Sequence, residues 1–173
     1  YEVDEANKDN YAVVNQLNMY SKLTVPFSSR FSMQIRISLV RSLMGNQFGA
    51  DADFNPSFGQ GAELQAVWIP AAGHTLTAGL QFQMDSGSTR YFGTHRGYSL
   101  GPYIQNEWNI TDNLRFTAGI RYDRYHLIRG RTEDLLSPRA GLNWEIRPGT
   151  IIRGAAGTGF RAATIVERFL ELS

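Results

Sequence analysis

The side chains best suited to chemistry in this sequence are three histidines, His74, His95 and His126. They stand about twenty to thirty residues apart, and none has a carboxylate at ligand spacing, so they do not describe a metal site. Histidine in a loop or an interfacial belt is the better reading. The chain has no Cys, which removes thiolate ligands, thiol nucleophiles and a disulfide framework together. Gly154-Ala155-Ala156-Gly157-Thr158-Gly159 looks like a phosphate loop but lacks the Lys-Ser/Thr ending and the third dinucleotide glycine. Glycine in a strand more often permits close packing. Asn109-Ile110-Thr111 is a formal glycosylation sequon and nothing more. No Ser/His/Asp group has supporting context, so neither an enzyme nor a cofactor or metal is expected.

What the sequence does offer is a set of regularly placed charges of both signs: Arg36, Glu63, Glu107, Arg115, Arg121, Arg139, Glu145 and Arg153. Across 173 residues, 17 Lys and Arg face 16 Asp and Glu, a formal charge of +1. That balance excludes a polybasic nucleic-acid arm and an acidic disordered tail, each of which needs a one-signed excess. With 42% hydrophobic residues the chain is not disordered, and no apolar run is long enough for a membrane helix. Composition and a mean hydropathy of −0.30 suggest a soluble domain. The 17 glycines and 12% aromatic residues fit that description poorly.

The elements that must position those charges have a period of two. Leu114, Phe116, Ala118, Ile120 and Tyr122 alternate with Arg115, Thr117, Gly119, Arg121 and Asp123, an arrangement that only a strand places in two rows. The same alternation runs through Phe31–Leu39, Leu76–Met84 and Ser137–Arg147, and more weakly through Val13–Val25, Ala62–Pro70, Leu100–Ile110 and Ile152–Phe160. This predicts an all-β chain of about eight strands of nine or more residues, the span of a tilted transmembrane strand. Short links at Pro26–Ser29, Ala71–His74, Thr111–Asn113 and Arg147–Gly149 alternate with longer irregular segments at Ser42–Gly61, Asp85–Gly97 and Leu127–Leu136. The order is that of an antiparallel up-and-down meander of four hairpins. Residues 77–82, TAGLQF, recur as 117–122, TAGIRY, at the spacing that separates Trp68 from Trp108. A propeller also repeats at this period, but it packs four short strands where only two long ones fit here.

Alternation alone does not say which row is wet. The tryptophans do. Trp68, Trp108 and Trp144 all fall in apolar rows a few residues before a short link, which would set three indoles at one level, as a bilayer interface favours. Phe82, Tyr122 and Phe160 would form the opposite girdle. The eight charged residues then face a lumen, in a transmembrane β-barrel. Asn106 falls in an otherwise apolar row, which implies a bulge, a covered position or a shifted phase. Residues 162–172 have Ile165, Phe169 and Leu172 at helical spacing and form a short C-terminal helix at the rim or interior.

The C-terminal half resembles a known family. Tyr103-Ile104-Gln105-Asn106-Glu107-Trp108, the strand Leu114–Tyr122 with Asp123, Ser137-Pro138-Arg139-Ala140-Gly141-Leu142-Asn143-Trp144, and Gly157-Thr158-Gly159-Phe160-Arg161-Ala162-Ala163-Thr164 are similar to successive segments of TonB-dependent outer-membrane receptors. Ala163 stands where the family has proline, and Asn106 where it has aspartate. The resemblance implies that residues 1–173 are part of a larger barrel of about 22 strands in the bacterial outer membrane, with the plug domain and energy-coupling box elsewhere. It implies active uptake of a scarce nutrient such as a ferric siderophore, with outer-membrane lipid and the TonB energising complex as partners. Ligand would be met by the long loops, where Phe48, Phe54, Phe58, Tyr91 and Phe92 are candidate contacts. Two alternatives remain: a closed eight-stranded outer-membrane barrel with a structural or adhesive role, and a soluble β-sandwich binding module.

Overall fold

A computed structural model of the protein describes residues 11–48, 51–90, 93–128 and 130–159. The expected C-terminal helix and the candidate residues Tyr91, Phe92 and Phe160 lie outside the described residues. Eight strands form: β1 (Tyr11–Ser28), β2 (Phe31–Phe48), β3 (Asp51–Trp68), β4 (His74–Thr89), β5 (Gly93–Thr111), β6 (Leu114–Leu127), β7 (Thr132–Arg147) and β8 (Thr150–Gly157). They pair in sequence order, each antiparallel to the next, in one sheet. The expected short links are tight turns, at Ser29–Arg30, residues 69–73, Asp112–Asn113 and Pro148–Gly149.

The long irregular segments are a correction. Residues 42–61 are almost wholly strand, with β2 and β3 paired without a break out to Phe48 and Asp51. The β4–β5 pair runs out to Thr89 and Gly93, and β6–β7 to His126 and Thr132. The alternation lapses here. An antiparallel ladder, however, needs only backbone donors and acceptors, and beyond the apolar part of the sheet neither face is obliged to be apolar.

β1 and β8 are both edges, and Val13–Val25 pairs with β2 alone. The described residues therefore do not close into an eight-stranded barrel. The soluble sandwich is inverted as well. In β5 and β6 the apolar positions Leu100, Ile104, Ile120 and Tyr122 are exposed, while Tyr103, Gln105, Arg121 and Asp123 on the opposite face are half-buried. A soluble sheet turns its apolar row onto a second layer, and the described residues form one layer only.

Register gives the apolar face its orientation. Trp68 shares a hydrogen-bonded row with Leu76 and Asn106, so Trp108 stands two residues nearer its own turn than that row. Trp108 shares a row with Phe116 and Leu142, and Trp144 is again two residues nearer its turn. Each step spans two strands, so the stagger is one residue per strand. With ~3.3 Å per residue and ~4.8 Å between strands, that stagger keeps a constant height when the strands tilt by roughly 35°, within the range of membrane barrels. The three indoles thus form one ring. The same stagger brings Leu39, Phe82, Leu100, Tyr122 and Leu136 to a second level. Between the two levels no outward position of the eight strands carries a charge, and only Ser21 and Asn106 are polar. There is no bulge at Asn106. Its amide donates to His74 Nδ1 at 3.2 Å, and the His74 ring stacks on Trp108 at 5.3 Å, so a polar cluster sits at indole level.

Turn chemistry fixes the hairpin ends. Gly73 has φ +78°, and a Cβ there would lie 2.9 Å from the Asn109 carbonyl oxygen, whereas Gly149 at φ +81° has open space. Gly73→Ala is expected to cost roughly 2 kcal/mol or more and Gly149→Ala about 1 kcal/mol. Urea unfolding of the full-length protein measures both, and equal midpoints would refute the argument.

Candidate functional site

The polar face is where the chemistry-bearing residues converge. Arg36 and Glu63 are directly paired across β2 and β3. Tyr103 faces Arg121 across β5 and β6, and Arg139 faces Gly119 across β6 and β7. Strand parity puts Glu107, Arg115, Glu145 and Arg153 on the same face.

Five of the eight charged residues form bonded ladders. Arg36 Nη1 lies 3.1 Å from Glu63 Oε2, with the Glu63 side chain 16% exposed. Arg36 also donates from Nε to Gln34 at 2.6 Å and from Nη2 to Gln65 at 3.1 Å. The Tyr103 hydroxyl donates to Glu63 Oε1 at 2.5 Å and accepts from Gln65 Nε2 at 3.0 Å. The Arg121 guanidinium lies 6.0 Å from the Tyr103 ring centroid and is held by Asp123 at 2.7 Å. Further round the sheet Arg139 donates to Gln105, which donates to Glu107 at 3.1 Å. Each charge is thus met by an opposite charge or an amide, which suits a half-buried wall, where an unmatched ion is costly.

Arg115, Glu145 and Arg153 are not part of these ladders. Arg115 donates to Asn109 at 2.8 Å, Glu145 accepts from the Gly149 backbone at 3.2 Å, and Arg153 stands opposite Asn143, all near the short turns. The residue missed by sequence reasoning is Tyr103, the hub that joins Glu63, Gln65 and Arg121. The signal for it lay in the repeat. Gly79 and Gly119 occupy the same place in the TAG segments, and register sets Tyr103 opposite the first and Arg139 opposite the second. A Cβ on Gly79 would overlap the Tyr103 ring, so glycine is what lets that ring lie across β4.

Tyr103→Phe removes a bond to an ionised partner and is expected to cost about 1–2 kcal/mol. Tyr20→Phe, at an exposed position on the same face, should be close to neutral. Urea unfolding in lipid vesicles separates the two, and equal values would sink the hub assignment.

The remaining candidates are dispersed. Trp68, Trp108 and Trp144 are outward and 49%, 42% and 41% exposed, and Phe82 and Tyr122 are outward at the other level. Phe54 and Phe58 lie within β3 rather than a loop, on the outward face, paired with Gly45 and Arg41. The backbone of Phe48 ends β2, and its side chain lies outside the described residues. His126 is hydrogen-bonded to Thr132 at 2.7 Å and packs on Tyr98, on the opposite face from His95 and at the far end of the sheet from His74.

Comparison with known proteins completes the picture. No curated protein matches the sequence. Among solved structures, the FrpB iron transporter from Neisseria meningitidis (F3-3 variant) superposes with a TM-score of 0.74 at 14% identity, covering 86% of this chain and 28% of FrpB. The ferric-catecholate import receptor Fiu from E. coli K12, in its open form, gives 0.72 at 10% identity, covering 87% of this chain and 36% of Fiu. The copper transporter OprC gives 0.67 at 13%, covering 83% of this chain and 29% of OprC. At these identities the likeness is one of fold, and the chain spans about a third or less of each barrel protein's length. The sequence itself matches the family model for the TonB dependent receptor-like β-barrel over residues 1–171. With nearly the whole chain covered by that match, the protein belongs to the TonB-dependent receptor β-barrel family.

Proposed function

We propose that this chain is part of the barrel wall of a bacterial outer-membrane receptor that actively imports a scarce nutrient such as a ferric siderophore. The observation that carries the reading is the charge-free apolar belt between two aromatic levels, backed on the other face by a matched polar ladder. A belt of that kind is stable only against lipid, and a ladder of that kind only against water or protein. The short turns face the periplasm and the long hairpins face outward. The transport step is one of binding and release, with no covalent chemistry and no resident cofactor. Energy comes from the TonB complex, acting through a plug domain carried elsewhere in the receptor. Ligand is met at the long-hairpin end of the polar face, to which Phe54 and Phe58 do not belong.

The test is uptake in a strain lacking the receptor and complemented with the full-length gene. Labelled ferric siderophores should enter only with the gene present, and entry should fall to background, at least tenfold, on TonB deletion or protonophore treatment. Copper supplied in place of iron distinguishes the two nutrient classes. Uptake that persists without TonB overturns the reading.

A further inference from the structure

The apolar face carries one polar cluster at the short-turn end of its belt. His74 stands directly opposite Trp108 across β4 and β5, and Leu76 stands opposite Asn106. The Asn106 amide donates to His74 Nδ1 at 3.2 Å, which leaves the imidazole proton on Nε2. His74 Nε2, the second Asn106 N–H and Asn106 Oδ1 have no hydrogen-bond partner among the described residues. Polar atoms left open to hydrocarbon are costly. The fold does not require them, because the next pair of strands has the same place without them. Leu114 faces Trp144 across β6 and β7 as His74 faces Trp108, and Leu142 faces Phe116 as Asn106 faces Leu76. Both polar positions are leucine there. Beside the cluster, Phe31, Ala66, Trp68, Leu76 and Ala78 line an open apolar groove of about 360 Å³. Its floor is the Ala66–Ala78 pair, one outward position further into the belt than Trp68 and Leu76. The outward strand positions nearest the short turns, Ile110, Leu114, Ile146 and Thr150 among them, carry no arginine, lysine or acid.

We propose that His74, Asn106 and the adjoining groove form a binding site for one glycerophospholipid of the leaflet at the short-turn end. Along the strands, from belt to turn, the order is apolar groove, amide donor, imidazole donor. That is the order of acyl chain, ester carbonyl and phosphate in such a lipid. The chain lies in the groove over Ala66 and Ala78, an ester carbonyl accepts from the free Asn106 N–H, and a phosphate oxygen accepts from His74 Nε2. Trp108, stacked on the His74 ring, holds it at headgroup level. With no arginine or lysine outward at this end, an anionic headgroup gains nothing over a zwitterionic one. A concave groove beside donors at headgroup level favours a lipid over a second copy of the chain. The inference rests on the outer-membrane reading above, with the belt against lipid.

The experiment titrates the full-length receptor in detergent with phosphatidylethanolamine and follows bound lipid by native mass spectrometry. Each hydrogen bond is worth roughly fivefold, so His74→Leu with Asn106→Leu should weaken binding about twentyfold. Ala66→Leu with Ala78→Leu fills the groove and should weaken it about tenfold. Ser21→Leu, which removes the other polar residue of the belt, should leave binding unchanged. An ether-linked analogue, lacking the ester carbonyls, should bind the wild type about fivefold more weakly and lose little further with Asn106→Leu. Binding unchanged in the His74 and Asn106 double variant, equal binding of the ether lipid, a several-fold preference for phosphatidylglycerol, or full competition by inorganic phosphate overturns the proposal. So does a lipid-free dimer that the double variant abolishes, which would give the surface to a second copy. If the double variant does not fold, by circular dichroism and heat-shifted gel mobility, Asn106→Ala replaces it. The preference for ester over ether lipid should then vanish, and its persistence overturns the proposal. Failure of the membrane reading is distinct, because the wild type would then fold without detergent.

Discussion

Ile104→Arg is expected to lower the folded stability of the receptor in a lipid bilayer by about 2–4 kcal/mol, while leaving its stability in short-chain detergent much less affected. Ile104 is an outward position of β5, 45% exposed, midway between the Trp108 level and the Leu100 level. Its neighbours across the strands, Ala78 and Ile120, are outward and uncharged, so an arginine there has no partner in the sheet and, on the proposed outer-membrane reading, no water within reach. The penalty is set by depth. The same change at Ile152, near the short-turn level beside Trp144, should cost about 0–1 kcal/mol because the side chain reaches the headgroups. Urea unfolding in vesicles, with both variants beside wild type, reads the difference. Equal costs at the two positions would mean the belt does not face lipid.

Gly79→Val should cost roughly 2–4 kcal/mol, more than Tyr103→Phe. The added side chain collides with the Tyr103 ring and must push it off β4. Overpacking of this kind costs roughly 1–3 kcal/mol on its own. Here it also breaks the hydroxyl's bonds to Glu63 and Gln65 and leaves Glu63 with Arg36 alone. Combining Gly79→Val with Tyr103→Ala should recover part of the loss, because the collision disappears with the ring. A double variant in which the two costs simply add would rule out the coupling.

Much of this was legible in the sequence because alternation reports directly on a sheet with two unlike faces. Every one of the eight strands and four tight turns was visible, and Trp68, Trp108 and Trp144 gave the levels. What was not legible lies where alternation stops. Residues 42–61 read as an irregular segment because the alternation lapses, although β2 and β3 stay paired out to Phe48 and Asp51. The lapse hides that Phe54 and Phe58 belong to β3, where counting back from Trp68 puts both on the outward face. Tyr103 was missed for a different reason. Sequence shows which row a side chain occupies, but not that a glycine on the next strand leaves room for it to lie flat.

The stagger of one residue per strand constrains how proteins of this kind can change in length. A single residue added to one arm of a hairpin exchanges inward for outward at every position beyond it, turning arginine to the apolar face and leucine to the polar one. One residue added to each arm keeps the pairing but still exchanges the faces beyond it. Two in each arm preserve both pairing and faces, and lift only what lies above them. Insertions and deletions are thus quantised along the arms and free at the tips. Divergence among relatives should accumulate at the outer ends of the long hairpins, while the separation between the two aromatic levels stays fixed.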